Sequence, residues 1–128
     1  MTLRTPPSWL QNGSHPAEND RLSQQALWSR SGVVRSDDLA VSQSASPGMS
    51  VQVAEGWGVV VGNFTSNMGA YLAYNDGAVT LSIGAANPSN PRIDLVVLTI
   101  ADAYYTGASN TVTLQVIAGT PAVSPLLS

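Results

Sequence analysis

The chain contains no cysteine and no lysine, and it has one histidine and one phenylalanine in 128 residues. Without cysteine there can be no disulfide and no thiolate metal site, and the redox compartment leaves no trace in the sequence. Charged residues are scarce, at 10% against about 25% in average soluble domains. The five basic residues, Arg4, Arg21, Arg30, Arg35 and Arg92, are scattered, and the net charge is −3. This pattern gives no electrostatic footprint for nucleic acid or for an anionic membrane. No apolar run approaches 18 residues, so no membrane span is expected. Residues Met1 to Pro7 lack the apolar stretch of a secretory signal. Asn12-Gly13-Ser14 and Asn63-Phe64-Thr65 match the glycosylation pattern, but a chain rich in Asn, Ser and Thr produces such matches by chance.

What is present is a 44% apolar fraction, ordinary for one globular domain that buries about two-thirds of its unfolded surface. With so few charges, the surface must be covered by Ser, Thr, Asn, Gln and Gly. Such surfaces are common where neighbouring subunits cover them.

Residues 1–14 read as an N-terminal arm, because Pro6-Pro7 suits neither a helix interior nor a central strand. Trp9 and Leu10 on this arm dock either on their own domain or on a neighbouring subunit. Residues 16–29 carry the helix signal. Pro16 suits the first helical position, and Glu18 and Asp20 suit the positive end. Leu22, Ala26 and Leu27 form a narrow apolar stripe, with Trp28 near its end.

From Gly32 onward the apolar period is two. Leu39 and Val41 alternate with polar residues, as do Met49, Val51 and Val53, then Trp57, Val59 and Val61. Glycines 56, 58 and 62 predict a bulge or a close backbone approach. Asn75-Asp76-Gly77 is the strongest hairpin-turn signal, placed between Tyr71–Tyr74 and a strand carrying Val79, Leu81 and Ile83. Pro88 and Pro91 stiffen a polar loop over residues 84–91. Ile93 to Ile100 is almost continuously apolar and predicts a central strand covered on both faces. Residues 101–110 read as a loop holding Tyr104 and Tyr105. Val112, Leu114 and Val116 then make a last, half-buried strand. The expected fold is mostly β, a single-domain β-sandwich or small barrel with an N-terminal arm and one short helix. Its domain spans residues 15–121, followed by an extended tail over residues 122–128.

No enzyme is expected. His15 stands alone, so it has no second His or Cys with which to hold a transition metal. Asp37-Asp38, Glu55, Asp76, Asp94 and Asp102 sit at turns and strand ends with no sign of a glycosidase pair, and Asp37-Asp38 reads as a solvated turn. In Gly56-Trp57-Gly58-Val59-Val60-Val61-Gly62 the third glycine stands one residue too far for a dinucleotide loop, and a β pattern follows. No Walker loop or nucleophile elbow is present, and no cofactor is expected. Trp57, Tyr71, Tyr74, Tyr104 and Tyr105 suit core and interface packing better than a sugar groove.

Residues 86–98 read Ala-Asn-Pro-Ser-Asn-Pro-Arg-Ile-Asp-Leu-Val-Val-Leu. Asp102-Ala103-Tyr104-Tyr105 follows, then Gln115-Val-Ile-Ala-Gly119-Thr-Pro121-Ala-Val-Ser-Pro125. This succession resembles a segment of minor tail, baseplate and fibre-adaptor structural proteins of tailed bacteriophages, particularly those infecting actinobacteria. Ala17-Glu18-Asn19-Asp20-Arg21 and the stretch from Pro47 to Gly56 fit the same family, so the resemblance covers most of the chain from about residue 8. It implies a virion location, synthesis in the host cytoplasm, contact with other virion proteins, and assembly as a homo-oligomer, often a homotrimer. It marks Arg92, Asp94, Gly119 and Pro121 as a structural motif. Trp9, Leu10, Leu22, Leu27 and Trp28 are the candidate oligomer interface. In the family, the Gly-Thr-Pro-Ala segment commonly leads into further domains. Here Ser128 follows closely, and the expectation is a tail-tip, baseplate or fibre connector without a receptor-binding domain. The other readings are a capsid decoration or head-fibre protein, a cell-wall glycan-binding module contacting the host surface, and, last, a glycan hydrolase.

Overall fold

The computed structural model describes residues 3–127. After the arm come α1 (Ala17–Leu27), β1 (Gly32–Val33), β2 (Val41–Gln43), β3 (Ser50–Val53), β4 (Gly56–Val61), β5 (Ala70–Asn75), β6 (Val79–Ser82), β7 (Leu95–Ala101), α2 (Ala103–Thr106) and β8 (Thr111–Ile117). The fold is mostly β. Its strands form three small antiparallel sheets, ordered β1-β4-β5, β2-β3-β6 and β7-β8, and no closed barrel among the described residues. The one substantial helix lies where its spacing predicts. The expected loop after β7 contains a second helix of one turn. Asp102 caps its start by accepting a hydrogen bond from the Tyr104 amide, and Gly107 ends it at φ 74°.

The first two sheets are one antiparallel meander bent at a corner. β4 pairs with β5 from Gly56↔Asn75 to Val61↔Ala70, and β3 pairs with β6 from Val53↔Val79 to Ser50↔Ser82. Between these ladders, Ala54 and Glu55 oppose the three residues Asp76 to Ala78. The extra residue is a bulge, and it bends the ribbon. Asn75-Asp76-Gly77 is therefore not the hairpin turn that its residue types predict. Asn75 Nδ2 donates to the Ala54 carbonyl at 2.9 Å and pins the corner, while residues 62–69 make the reversal between β4 and β5. Residues 32–43 line the other side. β1 pairs with β4 and β2 with β3, and the turn at residues 35–38 bulges out between them. Asp38 Oδ2 accepts from the Arg35 amide at 2.9 Å, and Leu39 takes up the strain at φ 54°. Asp38 is buried, not solvated as expected, because Gly56 packs directly against it.

The centre of the meander is the glycine-rich β4. A Cβ on Gly58 would stand 2.5 Å from Leu98 Cδ2, and one on Gly62 would overlap Met68. These glycines admit side chains from neighbouring elements onto the backbone, as the sequence predicts. The most deeply buried apolar residues are Val53, Val59, Met68 and Ala70. β7, by contrast, is not central. It pairs only with β8, from Leu95↔Ile117 to Ala101↔Thr111, and its apolar residues are half-buried. Its continuous apolar run predicts cover on both faces, but one chain supplies only part of it.

The helix also departs from its expected stripe. Pro16 is the N-cap, with ψ 143°, and not the first helical residue. The buried helical residue is Asn19. Leu22 is half-buried, Ala26 is exposed and Leu27 is 69% exposed. The reason is polar anchoring. Asn19 Nδ2 donates to the Pro6 carbonyl at 3.1 Å and Ser23 Oγ to Ser8 Oγ at 3.3 Å. These contacts hold the arm along α1, with an Arg4–Glu18 ion pair beside them.

Candidate functional site

The residues marked by the family-like motif meet in space. Strand β7 begins just after Asp94, so Arg92 and Asp94 stand at its start. Arg92 Nε donates to Asp94 Oδ1 at 2.8 Å, and its terminal nitrogens donate to the carbonyls of Ala85 (2.7 Å) and Gly84 (2.6 Å). One guanidinium thus closes the proline-rich loop onto the strand that follows it. Asp94 Oδ1 also accepts from the Gly119 amide at 2.9 Å, and the Ala122 amide donates to the Pro91 carbonyl at 3.0 Å. The backbone of Gly119 lies against the backbone of Ile93, leaving no room for a Cβ. Pro121 is half-buried beside this junction. All these partners belong to one chain, so the motif is a clasp that fixes where the chain enters and leaves the β7–β8 hairpin.

The clasp is expected to make the hairpin sensitive to acid. The Arg92 guanidinium, and then the Gly119 amide, hold the Asp94 carboxyl below the usual carboxylate range. A carboxyl depressed in the folded state stabilises the fold fully above its unfolded value of about 3.9, and that contribution is lost as pH falls below it. Asp94→Asn is therefore expected to melt lower than the parent at pH 7. It should also lose less stability than the parent between about pH 4 and pH 2. Parallel pH profiles of the two proteins would contradict this.

A second polar cluster joins α1, β5 and α2. Arg21 Nε donates to the Met68 carbonyl at 2.7 Å, and Nη2 donates to the Tyr105 hydroxyl at 2.7 Å. The guanidinium lies 5.2 Å from the centre of the Tyr71 ring and 5.5 Å from that of Tyr105, within cation–π range. The Tyr105 hydroxyl donates to Glu18 at 3.2 Å, and the Tyr71 hydroxyl donates to Asp102 at 2.5 Å. Burial, and then the hydrogen bond to Asp102, push the Tyr71 phenol well above its ordinary range, so it stays protonated. Asp102 serves this bond and the α2 cap together. The sequence reading missed the cluster. Its members lie up to 87 positions apart, and no local spacing signals such contacts.

The candidate interface residues divide. Trp9 is 64% exposed, with its backbone in the left-handed region at φ 64°. Leu10 and Leu27 are also exposed, whereas Leu22 and Trp28 are half-buried. The arm folds back on its own helix, yet its large apolar side chains face outward. Two further apolar features stand out, the first formed by two of the aromatics expected to serve core and interface packing. Trp57 and Tyr74 are cross-strand neighbours with ring centres 4.7 Å apart, and both remain partly exposed. An open groove of about 470 Å³ runs between the meander and the β7–β8 hairpin, lined by Val41, Val53, Val60, Val96, Leu98 and Leu114 among others.

His15 Nε2 pairs with Asp20 Oδ1 at 2.9 Å at the start of α1. No group of three or more His, Cys, Asp or Glu among the described residues could hold a metal ion, and no helix there is long and apolar enough to cross a membrane. The side chains of Arg21, Arg92, Asp94 and Asp102 are engaged in holding elements together. Comparisons with protein-family models, with curated proteins and with solved structures find no match for this chain.

Proposed function

We propose that this chain is a structural protein of a virion, a tail-tip, baseplate or fibre connector of the tailed-phage kind, that works by self-assembly and not by catalysis. Its single most telling property is an unfinished surface. A compact monomer of 13.3 kDa exposes roughly 6,400 Å², whereas this chain exposes 8749 Å². The excess, roughly 2,300 Å², is large beside the ~800 Å² that a standard interface removes from each partner. Two such contacts per chain would cover roughly 1,600 Å² of it, which is compatible with a closed homotrimer in which every subunit touches two others. The low charge of the sequence lowers the desolvation cost of such contacts. The virion setting is supported by the resemblance over residues 86–125, and the clasp of Arg92, Asp94 and Gly119 gives that segment a scaffolding purpose. In this reading the meander and the hairpin are the two layers of a β-sandwich whose core is completed by neighbours.

Analytical ultracentrifugation tests the reading. The intact protein is expected to sediment as a trimer at low micromolar concentration. Trp9→Ala is expected to weaken the assembly while the far-ultraviolet circular dichroism is retained, because the side chain is exposed and contributes little to the subunit's own core. An intact protein that stays monomeric at high micromolar concentration would overturn self-assembly.

A further inference from the structure

We infer that the apolar groove between the meander and the β7–β8 hairpin is filled, in the assembled protein, by residues 123–127 of a second copy of this chain. The inference rests on the self-assembly reading and adds the place and the partner. The groove is a defect in the subunit's own core. Its walls are aliphatic, and Val33 and Val41 on its rim are half exposed. Apolar walls of this kind gain from any apolar cover that excludes water. Gly58 lets Leu98 bridge the floor, so the hairpin is held but not fully seated.

The segment after β8 has the complementary chemistry. It reads Ala122-Val123-Ser124-Pro125-Leu126-Leu127 and carries no charge. Val123, Leu126 and Leu127 are 85%, 83% and 69% exposed, so these side chains do not occupy their own groove. Pro125 disfavours a helix and keeps the segment extended. The last backbone bond of this segment among the described residues runs from the Ala122 amide to the Pro91 carbonyl. That bond, with the Asp94–Gly119 contact, delivers the segment from a fixed point on the clasp. No charged side chain lines the groove, so docking desolvates no ion.

The area agrees. If each copy donates one segment and receives another, every chain makes two heterologous contacts, and a rotation that closes gives a ring. Two contacts of standard size account for most of the excess surface. The other exposed arm, residues 3–10, is a poorer occupant because hydrogen bonds from Asn19 and Ser23 tie it along α1.

The absence of cysteine makes the test direct, because each introduced thiol is unique. Chains carrying Val33→Cys would be co-expressed with chains carrying Leu126→Cys, the two being distinguished by mass, and the mixture oxidised mildly. Disulfides linking the two variants are expected in large excess over same-variant pairs. If the doubly substituted chain closes on itself while the mixture gives no interchain product, the segment folds back in its own subunit and the inference fails. If the protein assembles but neither arrangement cross-links, the inference fails and self-assembly stands. If the intact protein never assembles, both fail. As a second measurement, Leu126→Asp with Leu127→Asp is expected to weaken association at least tenfold while the subunit's circular dichroism is unchanged. Unaltered sedimentation of that variant would also overturn it.

Discussion

Gly119→Ala is expected to lower the melting temperature by roughly 10 °C, corresponding to about 3 kcal/mol for a domain of this size. The added methyl group would meet the backbone of Ile93 itself, including its carbonyl oxygen. A flexible side chain could move aside at small cost, but a main-chain carbonyl at the start of a strand cannot move without carrying the strand with it. Displacing Gly119 also lengthens its hydrogen bond to Asp94, which leaves Arg92 as the remaining partner of that carboxylate oxygen. The damage should be local to the β7–β8 hairpin. Hydrogen exchange is expected to accelerate in residues 95–117 before it does so in residues 50–82. Gly77→Ala is the matched control, because its methyl group would point into open space, and it should melt within about 2 °C of the parent. Equal losses for the two variants would mean that the close approach at Gly119 does not matter.

The second large effect is expected at Arg21. Arg21→Ala removes two hydrogen bonds and two ring contacts and leaves the Met68 carbonyl without its side-chain donor. The loss is expected to be about 2–3 kcal/mol. It should release α1 from β5, because at Gly69, with φ 77°, the strand backbone lies directly against the backbone of Arg21. Near-ultraviolet circular dichroism would report the change through Tyr71 and Tyr105. Arg21→Lys keeps the charge but cannot serve both acceptors and both rings with one planar fork, so it is expected to recover less than half of the loss. Full recovery by lysine would reduce the site to a simple charge effect. An unchanged tyrosine signal in the alanine variant would show that α1 is held by the arm contacts at Asn19 and Ser23 alone.

Several features were legible because they depend only on near neighbours in the chain. Period-two alternation located β3, β6 and β8, and the proline and acidic residues around 16–20 located α1. The glycines at 56, 58 and 62 announced close approaches. Other expectations failed where a distant group competed. Asn75-Asp76-Gly77 has the composition of a hairpin turn, but the strands on either side of it found their partners in β3 and β4. The turn residues became a bulge, with Asn75 bonded to Ala54. The stripe of Leu22, Ala26 and Leu27 suggested the buried face of α1, but hydrogen bonds from Asn19 and Arg21 turned the helix toward its polar side.

The strand at residues 95–101 is the instructive case. Its apolar run predicts cover on both faces, but in this chain β7 pairs only with β8 and its apolar residues stay half-buried. Composition and periodicity thus determined a cysteine-free, weakly charged, mostly β chain with its longer helix near the start. Only the tertiary structure decided which strands pair, that Arg21 gathers two tyrosines, and that the groove beside β7 stays open. The physical reason is range. Backbone preference and side-chain alternation act over a few residues, whereas pairing and burial depend on groups up to 87 positions apart, whose meeting no short window of sequence contains.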